Sequence, residues 1–110
     1  MQYVLLIYDE EGEWESHSGF RLSGDLQAKG TLIASEELQP VATATTVRVR
    51  NGDTVVSDGP FAKTEETLGA YCLIEADSLD EAIEWASRIP SARSGTVEIR
   101  PVVDNSEHRE

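Results

Sequence analysis

The sequence predicts an α+β fold built on a largely antiparallel sheet, and three observations predict it. Residues 2–8 and 68–76 are apolar at both alternating sets of positions, as strands covered on both faces are. Residues 78–89 carry one amphipathic helix with its own start and stop signals. Between two alternating runs, Asn51-Gly52 supplies the positive φ values of a two-residue hairpin turn.

Each element follows in order. The run Tyr3-Val4-Leu5-Leu6-Ile7-Tyr8 is a first, central strand. Asp9, Glu10, Glu11, Glu13 and Glu15 then read as a solvated acidic loop, without the ligand spacing and Gly-assisted turn of a Ca²⁺ site. Phe20, Leu22 and Leu26 give the next stretch a narrow apolar side, while Gly19 and Gly24 weaken it, so a short or irregular helix is expected to end near Lys29 and stop at Gly30. Residues 31–38 form a second strand, interrupted by Gln39-Pro40. Val47 and Val49 alternate with Thr46, Arg48 and Arg50 in the outgoing arm of the hairpin, and residues 54–57 return. In the clear helix, Ser78 caps the start and Glu81 completes a Ser-x-x-Glu box. Leu79, Ala82, Ile83, Ala86 and Ile89 make its apolar face, with Trp85 at the margin, and Pro90 ends it. Residues 95–103 form a last strand, Val97, Ile99 and Pro101 alternating with Thr96, Glu98 and Arg100.

Without the hairpin, this order is the β-α-β-β-α-β plan of the ferredoxin-like fold, with both helices on one side of the sheet. The two doubly apolar strands then need a cover on the bare side. A second copy of the chain is the expected cover, giving a homodimer that buries on the order of 1,500 Å² or more. Residues 1–103 make a single domain, and 104–110 a polar tail expected to be disordered.

The totals exclude several functions. The chain has 110 residues, 39% of them hydrophobic and 27% charged, with a net charge of −12 from 9 basic and 21 acidic residues. That balance gives no basic face for nucleic acid. No apolar run approaches the roughly 20 residues of a membrane helix, and no export signal precedes the first strand, so a cytoplasmic protein is expected. The lone Cys72 lies in an apolar strand and reads as a small hydrophobe rather than a nucleophile. Phosphate-binding loops, paired-cysteine zinc patterns, nucleophile elbows, two-histidine metal spacings and a clear axial ligand for haem are all missing, so no metal or cofactor is expected.

The stretch DGPFAKTEETLGAYCLIEA, residues 58–76, resembles the signature of the DGPF-domain proteins, the YCII-related or YciI-like family. YVLLIY near the start, residues 38–61 and residues 78–102 agree with it. The resemblance implies a dimeric α+β barrel, in which two ferredoxin-like sheets pack face to face, and a His and Asp pair as catalytic site. Matched by position, Asp58 is the signature aspartate. The segment between Trp14 and Gly30, however, is about ten residues short for a three-turn helix. The partner histidine belongs in that helix, and only His17 and His108 remain, neither at a matching position.

Asp58 is thus the candidate acid or base, held by a turn in which Pro60 fixes φ and Gly59 permits an unusual one. Its alternative role is to bond the loop's own N–H groups. Phe61 is expected to anchor the turn on the core and to border the site. Tyr8 and Tyr71 can donate hydrogen bonds to a ligand or simply pack. Arg48, Glu98 and Arg100 can bind a polar substrate, or serve as solvated charges on edge strands. Two functions remain. One is a small cofactor-independent isomerase, lyase or hydrolase of a small polar metabolite. The other is a non-catalytic ligand-binding or accessory protein on the same dimer.

Overall fold

The structure, a computed structural model, describes residues 1–12, 29 and 31–104. Its elements are β1 (Gln2–Asp9), β2 (Leu32–Glu37), β3 (Thr45–Arg50), β4 (Asp53–Asp58), β5 (Thr67–Glu75), α1 (Leu79–Ser87), α2 (Ser91–Ser94) and β6 (Thr96–Pro101), with a 3₁₀ turn at Val41–Thr43. The chain is a mixed α+β fold. An antiparallel sheet runs in the order β2-β5-β1-β6, and β3 and β4 form a separate two-stranded sheet. The expected first helix, with Phe20, Leu22, Leu26 and His17, lies outside the described residues, as does His108.

Strand alternation places the core on one face of the large sheet. Tyr3, Leu5 and Ile7 of β1 and Ala70, Cys72 and Ile74 of β5 are buried there, with Val97 and Ile99 of β6 packed against them. The alternate residues Val4, Leu6, Tyr71 and Leu73 occupy the opposite, open face and are only half-buried. The doubly apolar pattern of β1 and β5 therefore resolves into one buried face and one half-covered face.

Pairing of β1 with β5 shifts register between Ile7 and Tyr8. Ile7 faces Ala70, Tyr8 faces Leu68, and Gly69 is the extra residue.

Helix α1 covers the core face. Its capping is as expected: the Ser78 hydroxyl accepts the Glu81 N–H at 3.2 Å. The Glu81 carboxylate reaches back to the N–H of Asp77, also at 3.2 Å, rather than to that of Ser78. The buried stripe differs from the expected one. Ala82, Trp85, Ala86 and Ile89 are buried, whereas Leu79 and Ile83 are half exposed. Positions 82, 85, 86 and 89 keep helical spacing, and rotating the helix toward them buries its largest side chain. The guanidinium of Arg88 lies 4.7 Å from the Trp85 ring centre and the ammonium of Lys29 5.3 Å from it. Pro90 ends α1 as expected, and the single turn of α2 follows before β6.

Asp9 corrects the reading of an acidic loop that begins at residue 9. It is the last residue of β1 and is fully buried. It continues the inward series Tyr3, Leu5, Ile7, and so must be satisfied by hydrogen bonds. Its carboxylate accepts the Glu10 N–H at 2.9 Å and the Ser94 hydroxyl at 2.5 Å, and its backbone carbonyl accepts the Thr67 hydroxyl at 3.4 Å. Gly95 makes this approach possible. A Cβ there would lie 2.1 Å from the Tyr8 carbonyl oxygen and 2.9 Å from the Asp9 Cα.

The hairpin turn is as expected, with Asn51 at φ 53° and Gly52 at φ 82°. No helix among the described residues is long and apolar enough to cross a membrane.

Candidate functional site

Tyr8 sits where two recesses meet. The first is a cleft of about 630 Å³, bounded by Leu38–Val41 and by the hairpin root at Ala44, Pro60 and Phe61, with Leu68 and Tyr8 as its floor. Its walls are mainly apolar, and Thr43, Thr64 and Thr67 also line it, their hydroxyls bonded to the carbonyls of Pro40, Glu66 and Asp9. The second, a more open recess of similar volume, is lined by Tyr8, Thr64, Glu65, Glu66, Thr96 and Glu98. Tyr8 therefore divides an apolar cavity from an acidic one.

The sheet register explains the second recess. Tyr8 pairs with Thr96, and Leu6 with Glu98, so Thr96, Glu98 and Arg100 share the open face with Tyr8. Burial raises the pKa of the Tyr8 phenol above its ordinary 10.0, and the charge of Glu98 and a hydrogen bond to it act in the same direction. Arg100 opposes the shift. The hydroxyl thus stays protonated at neutral pH, with its one O–H given to Glu98 and its oxygen left as an acceptor. Arg100 donates to Glu98 at 3.2 Å, and the Thr96 hydroxyl donates to Glu66 at 2.8 Å. These two bonds organise the carboxylates around the recess.

Three of the residues singled out in the sequence, Tyr8, Glu98 and Arg100, therefore come together. Tyr71 lies on the same open face, opposite Leu6 on the other side of β1. Arg48 lies against the ring of Phe61, its guanidinium 4.7 Å from the ring centre.

The turn after β4 differs from expectation in one respect. Phe61 is 76% exposed and does not anchor the loop on the core. The turn is held by backbone instead. Gly59, at φ 100°, donates its N–H to the Ala44 carbonyl at 2.7 Å, and the Thr46 hydroxyl donates to the Gly59 carbonyl at 2.7 Å. These bonds close the base of the hairpin and leave Phe61 at the cleft wall beside Arg48. Asp58 ends β4, opposite Thr45, and is exposed. It is not among the residues lining the cleft, which begins two positions further on at Pro60.

Sequence reasoning missed Thr64, Glu66 and the Leu38–Ala44 wall, because no strand or helix periodicity marks them. It also missed the buried pair of Asp9 and Ser94, for which the alternation of Tyr3, Leu5 and Ile7 was an available signal. Among the described residues, no group of three His, Cys, Asp or Glu side chains is arranged to hold a metal ion.

Comparison with known proteins places this geometry in context. A family model of the YCII-related domain matches residues 1–106. An uncharacterised protein of Rhizobium meliloti (strain 1021) is 36% identical over 114 residues, spanning 93% of this chain and 92% of that protein. Among solved structures, the 5-chloro-2-hydroxyhydroquinone dehydrochlorinase of Burkholderia phenoliruptrix AC1100, in complex with 2,5-dihydroxybenzoquinone, superposes over 100% of both chains with a TM-score of 0.50. At 13% identity this is a likeness of fold.

Proposed function

The chain belongs to the YCII-related family, and on that premise we propose that it binds a small metabolite in the cleft at Tyr8, as a homodimer of ferredoxin-like sheets packed through their open faces. The carrying observation is the position of the Tyr8 hydroxyl. It is kept protonated at the junction of an apolar cleft and an acidic recess. A ligand suited to this arrangement has an apolar or aromatic body for the cleft. Its hydroxyl or amine donors meet the Tyr8 oxygen, whose own proton is held by Glu98, and turn toward Glu66. The strand order β2-β5-β1-β6, with α1 packed on the core face, supports the ferredoxin-like plan. The half-buried Val4, Leu6, Tyr71 and Leu73 support closure by a second copy.

The test is calorimetric titration with 2,5-dihydroxybenzoquinone and related hydroxylated rings. Binding to the native protein, weakened about 10-fold or more in Tyr8→Phe, is the expected result. Ring binding that Tyr8→Phe leaves unchanged would overturn the assignment of Tyr8.

A second reading makes the protein a cofactor-independent enzyme, with Asp58 as acid or base. Its support is that the structural neighbour is an enzyme and that Asp58 lies two residues from the cleft wall. On this reading, Asp58→Asn keeps the fold and lowers turnover by a factor on the order of 10² or more. On the ligand-binding reading, the same variant binds rings with unchanged affinity and there is no turnover to lose.

A further inference from the structure

The cleft at Tyr8 is rich in oxygen and poor in free hydrogen-bond donors. Each of its four hydroxyls has its proton committed. Tyr8 donates to Glu98, and Thr43, Thr64 and Thr67 donate to the carbonyls of Pro40, Glu66 and Asp9. The backbone of the Leu38–Ala44 wall is largely committed as well. The N–H groups of Leu38, Thr43 and Ala44 bond to carbonyls, and that of Val41 bonds to the Glu11 carboxylate at 3.0 Å. Pro40 and Pro60 have no N–H to give. Among the lining side chains, only the amide of Gln39 carries further donors.

The strong donor lies at the rim. Phe61 forms part of the wall and is 76% exposed, and the Arg48 guanidinium lies 4.7 Å from its ring centre. Strand parity explains the contact. Arg48 shares its face of the hairpin with Thr46, whose hydroxyl bonds the Gly59 carbonyl, so this face looks toward the turn that carries Phe61. A cation–π contact uses the charge of the guanidinium and leaves its N–H groups to other partners. Among the described residues Arg48 makes no ion pair, whereas Arg88 and Arg100 are held by Glu84 and Glu98. A chain of net charge −12 repels anions, so an anionic group bound here needs a cation beside it. Glu65, Glu66 and Glu98 make the Tyr8 end unsuitable for that group. Arg48 makes the Phe61 end suitable.

We propose that the cleft reads its ligand by polarity: a hydroxyl or amine donor points in toward Tyr8 and Glu66, and an anionic oxygen group, such as a carboxylate, is held at the rim by Arg48 beside Phe61. The ligand class is a hydroxylated or amino-substituted ring that carries an acid group. The inference rests on the Tyr8 reading given above and adds to it a second anchor and a ligand charge.

The experiment is calorimetric titration with 4-hydroxybenzoate and 4-hydroxyphenylacetate, each against its neutral amide. The proteins are the native chain, Arg48→Gln, Lys63→Gln and Tyr8→Phe, with the fold of each checked by circular dichroism. Arg48 is exposed, so its replacement leaves the core untouched. Lys63 stands between Ala62 and Thr64 of the cleft without lining it, so Lys63→Gln removes the same charge close by and keeps the Phe61 contact. The native protein is expected to bind at least one acid about 10-fold or more tighter than its amide. Arg48→Gln should abolish that preference and leave amide binding unchanged. Lys63→Gln should keep the preference, and Tyr8→Phe should weaken acid and amide alike. Equal affinity for acids and amides, or a preference that Arg48→Gln retains or Lys63→Gln also loses, overturns the inference and leaves the Tyr8 reading standing if Tyr8→Phe weakens binding. Binding that does not respond to Tyr8→Phe overturns the assignment of Tyr8 and this inference with it, and the absence of any ring binding overturns both.

Discussion

Replacing Gly95 by alanine tests the packing at the end of β1 most directly. A Cβ at this position would meet the Tyr8 carbonyl oxygen at 2.1 Å, the Asp9 Cα at 2.9 Å and the Asp9 carboxyl carbon at 3.0 Å. Two of these three atoms are backbone, so no side-chain rotation relieves the clash. The two segments have to separate by about 1 Å in a region packed at interior density. Overpacking of this kind costs about 1–3 kcal/mol. The separation also pulls Ser94 from the buried Asp9 carboxylate, which it now bonds at 2.5 Å. Weakening the satisfaction of a buried polar group adds about 1–3 kcal/mol. The expected loss is therefore about 2–6 kcal/mol, a large part of the stability of a domain this size. Urea denaturation followed by circular dichroism measures it. Gly12→Ala is the control, since nothing lies within 4 Å of a Cβ there, and it should stay within about 0.5 kcal/mol of the native protein. A Gly95→Ala midpoint indistinguishable from that control would refute the argument.

The Cys72 thiol is fully buried and its pKa is pushed up to about 12 by that burial, so a thiol reagent at pH 8 should modify it only in denaturant; rapid native-state labelling would contradict the packing of β5. Removing the cap with Ser78→Ala should cost about 0.5–2 kcal/mol in urea denaturation, through the lost acceptor for the Glu81 N–H. The pKa of Tyr8 is raised in the folded state, so its stabilising effect is fully present below the unfolded value near 10 and is lost as pH rises through the higher folded value. A stability–pH profile of Tyr8→Phe should therefore run flatter above pH 10 than that of the native protein, and parallel profiles would remove Glu98 and burial as determinants of the phenol.

The periodic elements were legible because their side chains repeat. Val4 to Tyr8, Leu68 to Ile74 and the box at Ser78 and Glu81 each state their own geometry in a few residues. The turn at Asn51-Gly52 is similarly local, since it depends on backbone freedom that few residues have. The rotation of α1 was not legible. It depends on fitting the Trp85 ring against the sheet, and Leu79 and Ile83 are equally apolar in the sequence. Phe61 was misjudged for a related reason, because an aromatic ring in a restrained turn serves a core or a cleft equally well. The cleft itself was invisible, as Leu38–Val41, Thr64 and Leu68 meet only through the tertiary arrangement. Asp9 shows a different limit. Charge in a cluster of acids suggests solvent, whereas strand alternation placed this one carboxylate inside.

The register shift opposite Ile7 and Tyr8 has an odd–even consequence. In a strand, parity of position decides the side of the sheet. Gly69 is a single unpaired step, and it reverses parity for everything before it in β5. Because of that step, Thr67 falls on the core side opposite Asp9, where its hydroxyl reaches the Asp9 carbonyl. Leu68 falls on the open side beside Tyr8, as part of the cleft floor. Were Gly69 instead paired in regular register with Tyr8, the effect would be an exchange: Leu68 would oppose Asp9 on the core side and Thr67 would turn to the open side. The chemical character of the cavity is thus set by a residue that contributes no atom beyond its backbone.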